Sequence, residues 1–384
     1  MTGPDRPELL VVGLGGIGAA VAHRAARNGL RVVGVEQFQP LHDRGSSHGH
    51  SRIFRIAYFE SPAYVPMARL ALAGWRKLEE ETGFDLVRIT GGLDLGPPDG
   101  RLVQGSLRAC REHDIPHEHW DREMLRRRVP GLALPDDTEA VHQADAAILN
   151  PTRCTGAHVA AARAAGADLR FRTRVAGWEP EGRGVRVRLV RDGLEEDLLA
   201  DRVVVTAGSW LGAGPLRDHL PKLVPERQVV GWLPHIEGSG AGHEFPVVNA
   251  ELEEGHVYLM PQHAGRGVKV GLYHHLREAI DDPDRPDAAP AAADAALLQS
   301  IADRYLAVSG GIRHMRTCRF TLTRDEHFIL DTIDEGRIVI GGGFSGHGFK
   351  FAPALAEVLV ALAGGDTPPM DVEPFRLDRS GARA

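Results

Sequence analysis

The sequence predicts an α/β (α+β) fold, in which a Rossmann-like nucleotide-binding domain is joined to a second, sheet-rich domain. Three observations predict it. The chain has 384 residues, more than one small hydrophobic core organises, so two domains are expected. The N-terminus reads as strand, glycine loop, helix, strand. Two later strands, far along the chain, again run into glycines.

Leu9–Val12 is a short aliphatic run, expected as a strand. Residues 13–18, GLGGIG, fit G-x-G-x-x-G, with Gly13, Gly15 and Gly18 in the three glycine positions. Gly13 permits the tight turn, Gly15 lets a diphosphate approach the backbone, and Gly18 lets the helix pack close to the strand. The Ala-rich segment Ile17–Asn28 is the expected helix, with its N-terminus facing the diphosphate and Gly29 stopping it. Arg31–Val35 is the second strand, and Glu36 at its end is placed to bind a ribose 2′-hydroxyl. An acid there disfavours a 2′-phosphate but does not separate NAD from FAD.

Farther on, Pro62–Glu81 has the helical spacing of Val65, Leu70, Leu72 and Trp75, and short strands follow over Val87–Gly96. Thr152–Ala165 is a second Ala-rich helix. Arg172–Trp178, Val185–Leu189 and Arg202–Val205 read as strands. The Gly-rich stretch His235–His243 and the Pro-, Asp- and Ala-rich stretch Asp281–Ala292 read as loops or linkers. Arg337–Ile340 is a strand that runs into Gly341, Gly342 and Gly343, and Phe351–Ala363 is an apolar helix.

Composition narrows the function. Apolar residues make up 43% and charged residues 25%, as in a soluble globular protein. A net charge of −7 argues against a nucleic-acid or anionic-membrane partner, though local basic pockets for small anions survive it. No run of about 18 apolar residues offers a membrane span, and no signal-like segment precedes the first glycine. Cys110, Cys154 and Cys318 form an odd set without a CxxC pair, which excludes a disulfide scaffold and a cysteine-rich metal site. A cytoplasmic location is expected, and no metal.

An NAD dehydrogenase usually follows one compact nucleotide domain with a catalytic domain. Here VVVTAGSW (203–210) and IVIGGGFSGHGFKFAP (338–353) return to glycine-ended strands late in the chain. Together with GSSHGHSRIFR and CRFTLTRDEHFILD, these blocks resemble the monomeric sarcosine oxidase family, with N-methyltryptophan and pipecolate oxidases among its relatives. The resemblance runs from about Leu9 to the last helix. It implies a glutathione-reductase/D-amino-acid-oxidase-like fold, with a discontinuous FAD-binding domain (1–86, 146–220 and 325–384) and a substrate domain (87–145 and 221–324). It further implies a monomer that oxidises secondary amino acids, N-methylated or cyclic. Hydride passes to flavin, the imine hydrolyses, and O2 becomes H2O2.

The resemblance also assigns residues. Arg55 and Lys350 would hold the substrate carboxylate, a planar fork and a point charge suited to that anion. Lys269 would stand beside the flavin as the fixed cation for oxygen reduction. Four residues after Lys269, where the family often has histidine, this chain has Tyr273, followed by His274 and His275. Which of the three faces the substrate is open at this point. Gly13, Gly15, Gly18, Glu36, Ser46, His48, Ser51, Arg52, Val175, Gly208, Gly346, His347, Gly348 and Lys350 would surround the cofactor. Cys318, at the family's spacing from DEHFI, would tether it by a thioether to the flavin 8α-methyl carbon. Arg316 shares a strand face with Cys318 and, with His48 or Arg52, is expected to favour the thiolate. Phe320 replaces a tyrosine of the sarcosine enzymes. Asp325, Glu326 and His327 are expected to be structural, since three consecutive strand residues cannot all face one site. Two other readings use the same flavin site: a dehydrogenase or natural-product tailoring oxidase, and a non-catalytic flavin binder. The presence of Arg55, Lys269 and Lys350 together argues against the last.

Overall fold

The computed structural model describes residues 6–234, 245–307 and 310–380. The Gly-rich stretch His235–His243 lies outside the described residues.

A six-stranded sheet forms around the first strand. Its order is Ile329–Ile333, Ile338–Gly342, Arg202–Val205, Leu9–Val12, Val32–Glu36, Asp168–Phe171, all parallel except the first, which is antiparallel to its neighbour. Its inner strands read as continuous aliphatic runs because both faces are covered. Leu9 and Val11 face helices Gly16–Arg27, Val65–Thr82, Pro151–Ala164 and Ala352–Gly364. Leu10 and Val12 face an antiparallel three-stranded sheet built from Thr173–Glu181, Gly184–Arg191 and Leu194–Ala200. Each buried Val or Leu contributes about 1.5–3 kcal/mol.

A nine-stranded sheet comes from two other parts of the chain, residues 92–143 and 224–322. Its longest pairing joins Val224–Leu233 to the edge strand His314–Leu322, which carries Cys318 opposite Gln228. Helix Ala292–Tyr305 covers one face with Leu298, Ile301 and Ala302. A small sheet of Arg52–Phe54, Ala147–Leu149 and Val87–Ile89 stands between the two large sheets.

Local expectations meet this architecture closely. The first helix spans Gly16–Arg27, and Gly29 after it has a positive φ of 86°. Residues 281–291, apart from Ala291 at the next helix's N-terminus, lie outside helix and strand. One expectation is corrected: Asp325–His327 lie in a turn before Ile329–Ile333, with Glu326 at φ +60°, and not on a strand.

Candidate active site

The glycine loop sets one end of the site. A Cβ on Gly13 would lie 2.7 Å from the Thr206 carbonyl oxygen, and one on Gly18 only 1.7 Å from that of Gly13. No side chain can replace either hydrogen without moving backbone. The helix that follows has no acidic residue in its first turn, so its N-terminal dipole is open to an anion. Ser47 Oγ accepts from the Gly16 N–H there at 2.9 Å. Glu36 is buried, and its carboxylate accepts from Leu14 N–H (2.9 Å) and Phe38 N–H (3.0 Å). That fixes its orientation while leaving lone pairs for a ribose hydroxyl.

From this loop a cavity of about 310 Å³ leads to Cys318. Gly13, Gly15, Glu36, Ser46, Arg52, Val175, Gly208, Gly346 and Gly348 line it. Gly18 does not; it packs the helix onto the loop. A second chamber, of about 580 Å³, adjoins the first, and Arg52, Cys318, Phe320, Gly346 and Phe349 line both. His48, Arg55, Lys269, Tyr273, His274, His347 and Lys350 line the chamber. Ser51 lines neither, but its carbonyl accepts from Arg52 (2.9 Å) and Lys269 (3.2 Å) and holds both cations in place.

Cys318 sits where the cavities meet. Arg52 Nη2 reaches its Sγ at 3.4 Å while also donating to the carbonyls of Ser46 and His48, each at 3.0 Å. Burial by itself would raise this thiol's pKa. Arg52, a hydrogen bond from His48, and Lys269 outweigh burial and bring it down to about 6. The other two cysteines move the opposite way: burial pushes Cys110 up to about 12 and raises Cys154 as well. The helper is therefore Arg52 with His48. Arg316 lines the chamber but is not the charge at the sulfur.

The chamber's cations are held differently. Arg55 is buried under the rings of Tyr58 and Phe59, 4.3 and 4.8 Å from their centroids. Its fork is engaged by Glu60, with Nη2 at 2.8 and 3.1 Å from the two carboxylate oxygens. Against the cost of its burial, Arg55 holds the Glu60 carboxyl down at about 2. Lys350 Nζ donates to Tyr58 Oη at 3.0 Å. Tyr58 Oη donates in turn to His347 Nδ1 (2.9 Å), and His347 Nε2–H donates to the Glu326 carbonyl (3.0 Å). That tautomer is the one a neutral ring requires, and burial lowers the His347 pKa to about 4. Burial, then Arg55, lowers Lys350 to about 7; burial, then Arg52, lowers Lys269 to about 7.

The question left by Tyr273, His274 and His275 has a geometric answer. Tyr273 donates to the Ser345 carbonyl and packs on Phe320, ring centroids 5.3 Å apart. His274 lies between Glu226 (3.0 Å) and Glu326 (2.8 Å), whose hydrogen bonds raise its pKa, Glu326 foremost. His275 turns away to Asp294 at 2.8 Å. Of the DEH triplet, Asp325 pairs with Arg379 and His327 meets Tyr64 Oη at 3.0 Å, so only Glu326 reaches the chamber. Sequence reasoning missed Tyr58 and Glu60, three and five residues past Arg55. It also missed Trp232, Tyr258 and His256, which reach the chamber from strands with no local motif.

A glycine cradle for a dinucleotide, leading to an activated thiol and a basic chamber, defines a dinucleotide-dependent oxidoreductase. The chain belongs to the FAD dependent oxidoreductase family, whose model matches residues 8–362. It is 35% identical to a monomeric sarcosine oxidase of Streptomyces avermitilis, over 93% of each chain. It is 31% identical to an N-methyl-L-tryptophan oxidase of Yersinia pestis, over 97% of this chain and 99% of that one. Two solved structures share the fold. NikD, an unusual amino acid oxidase essential for nikkomycin biosynthesis, superposes with a TM-score of 0.81 at 22% identity over 98% of both chains. The L-proline dehydrogenase of P. horikoshii gives 0.78 at 22% identity over 97% of both.

Proposed function

We propose that the protein is an FAD-dependent oxidase of secondary amino acids, N-methylated or cyclic, producing an imine and hydrogen peroxide. The observation that carries this reading is the convergence of Arg55, Lys269 and Lys350 on one chamber that opens at the Cys318 sulfur. The sarcosine and N-methyltryptophan oxidases among its relatives support the substrate class. Bound FAD supplies a two-electron acceptor for the hydride on the carbon beside the amine, and a route for those electrons to O2.

The chain's own residues do the rest. Arg55 and Lys350 receive the substrate carboxylate. Glu60 now holds Nη2 of Arg55, so an incoming carboxylate takes that place only if Glu60 gains a proton or a new partner, since a buried carboxylate is not left unpaired. A carboxylate beside Lys350 favours the charged form of that amine, and the Tyr58–His347 relay fixes where its nitrogen points. Lys269, held by Ser51, keeps its amine near the thiol end of the chamber, where the negative charge of oxygen reduction would favour its protonated form. Phe320, Trp232 and Tyr258 give the chamber aromatic walls. Cys318, as thiolate, is placed to tether the flavin. All three cysteines are free, as in a reducing cytoplasm, and we propose that the enzyme works there as a monomer.

A panel of N-methyl and cyclic amino acids, each with its carboxamide, tests this reading by peroxide release. Turnover is expected for acids and a loss of at least tenfold in kcat/KM for the amides. No peroxide from any acid would sink the proposal.

A further inference from the structure

Cys318 and Arg319 are neighbours on one strand, so their side chains leave it on opposite faces. Arg319 is fully buried, yet the proposed chemistry has no use for it. Its guanidinium is spent entirely on one segment. Nη1 donates to the Pro283 carbonyl (2.7 Å), Nη2 to the Arg285 carbonyl (2.7 Å), and Nε to Asp287 (2.8 Å). A second buried arginine, Arg227, holds the far end of that segment through the carbonyls of Ala288 (3.1 Å) and Ala289 (3.3 Å). It also pairs with Asp294 at 2.8 Å.

The held segment, residues 281–291, reaches the wall of the dinucleotide cavity through Asp284. Asp284 lines that cavity and is fixed from the nucleotide-binding side. Its carboxylate accepts from Trp210 Nε1 at 2.7 Å, and its carbonyl from Arg44 Nη2 at 2.6 Å. Trp210 also lines the cavity, and the Arg319 guanidinium lies 5.3 Å from its ring centroid. Pro283, Pro286 and Pro290 restrict the segment's backbone. The nine-stranded sheet thus anchors the segment at residues 283, 285 and 287–289, and Asp284, between the first two anchors, latches onto loops of the nucleotide-binding side.

We propose that residues 281–291 are a strap at the wall of the cofactor cavity, with Arg319 as its anchor and the Asp284–Trp210 hydrogen bond as its latch, and that FAD enters and leaves only when the latch opens. Arg319 is a positioning residue for the segment, and it also lines the cofactor cavity. The inference rests on the assignment of the cavity to FAD, which the family supports, and not on the amine substrate.

The test uses the Cys318→Ser chain, in which no tether can form and bound FAD is able to dissociate. Rates of FAD association and dissociation are read by flavin fluorescence, without turnover. Asp284→Ala removes the latch from an exposed position that does not threaten folding. Both rates are expected to rise at least tenfold, with the equilibrium constant changing less than threefold. Trp210→Phe should also raise both rates. Arg319→Met should raise both rates further, and Arg319→Lys should partly restore them. If both rates are unchanged in Asp284→Ala, or dissociation alone rises, the segment is not a gate and the proposal fails. Failure of the substrate reading would leave these rates untouched.

Discussion

At the scale of single residues, the site is a contest between burial and charge. Three thiols are buried, and burial raises the pKa of each. Only Cys318 has an arginine within reach of its sulfur, and only Cys318 ends below its ordinary value. It is therefore the one thiol that is largely thiolate at neutral pH, the form that attacks. Protein precipitated with acid should keep its yellow colour, and the Cys318→Ser variant should release it. Wild-type protein that loses all its colour would refute the tether. Lys269 is decided by the same contest. Its amine is buried beside Arg52, with Ser51 as its hydrogen-bond partner. Lys269→Met should slow reoxidation of reduced enzyme by air by about 100-fold, the scale for losing one preorganised charge. Reduction by substrate under anaerobic conditions should change far less. Equal reoxidation rates in stopped flow would remove Lys269 from that role.

At the scale of elements, the helical layer carries a liability of its own. His23 on the first helix and His158 on Pro151–Ala164 meet with their Nδ1 atoms 3.2 Å apart, and His158 packs on Trp75 of Val65–Thr82. Burial lowers both pKa values, His23 to about 4 and His158 further. In the unfolded chain each takes a proton near pH 6.5. Below that pH the unfolded state binds more protons than the folded one, so stability falls as pH drops from about 6.5 towards 4. A His158→Gln variant should lose less of its urea midpoint between pH 7 and pH 5 than the wild type does. Identical losses would show that the pair does not govern the acid limb. The elements around the glycine loop were legible: strand, loop and helix boundaries there follow from aliphatic runs, a 3.6-residue period and glycine stops, all local signals. Helices Arg122–Arg128 and Ala292–Tyr305 and strands Val224–Leu233, Val247–Leu252 and Gly255–Met260 were not singled out. Nor was the turn at Asp325–His327 legible, because hydrophobic neighbours on both sides mimic a strand.

At the scale of the molecule, what could be read from sequence and what could not divide by contact distance along the chain. The cradle, the thiol and the three chamber cations stand in short words, GLGGIG, CRFTLTRDEHFILD, SRIFR, GVKV and GFSGHGFKF, and the resemblance of these words to a known family is what singled them out. The choice of Arg52 over Arg316 at the sulfur was not, because it depends on how Arg52–Phe54 of the small sheet meets the edge of the large one. Nor was the duty of Arg319, whose partners lie 32 to 36 residues earlier. Trp232 and Tyr258 enter the chamber only once Val224–Leu233 and Gly255–Met260 have paired with the strand that carries Lys269.

That edge strand, His314–Leu322, reads as two interleaved messages. Positions 316, 318 and 320 address the chamber, as does Thr317, while position 319 addresses the segment 281–291. Exchanging one letter damages one message. Deleting a single residue ahead of Cys318 would transpose the two, offering a guanidinium to the flavin and a thiol to the segment. This stretch is thus a place where the protein can accept a change of spelling but not a change of length.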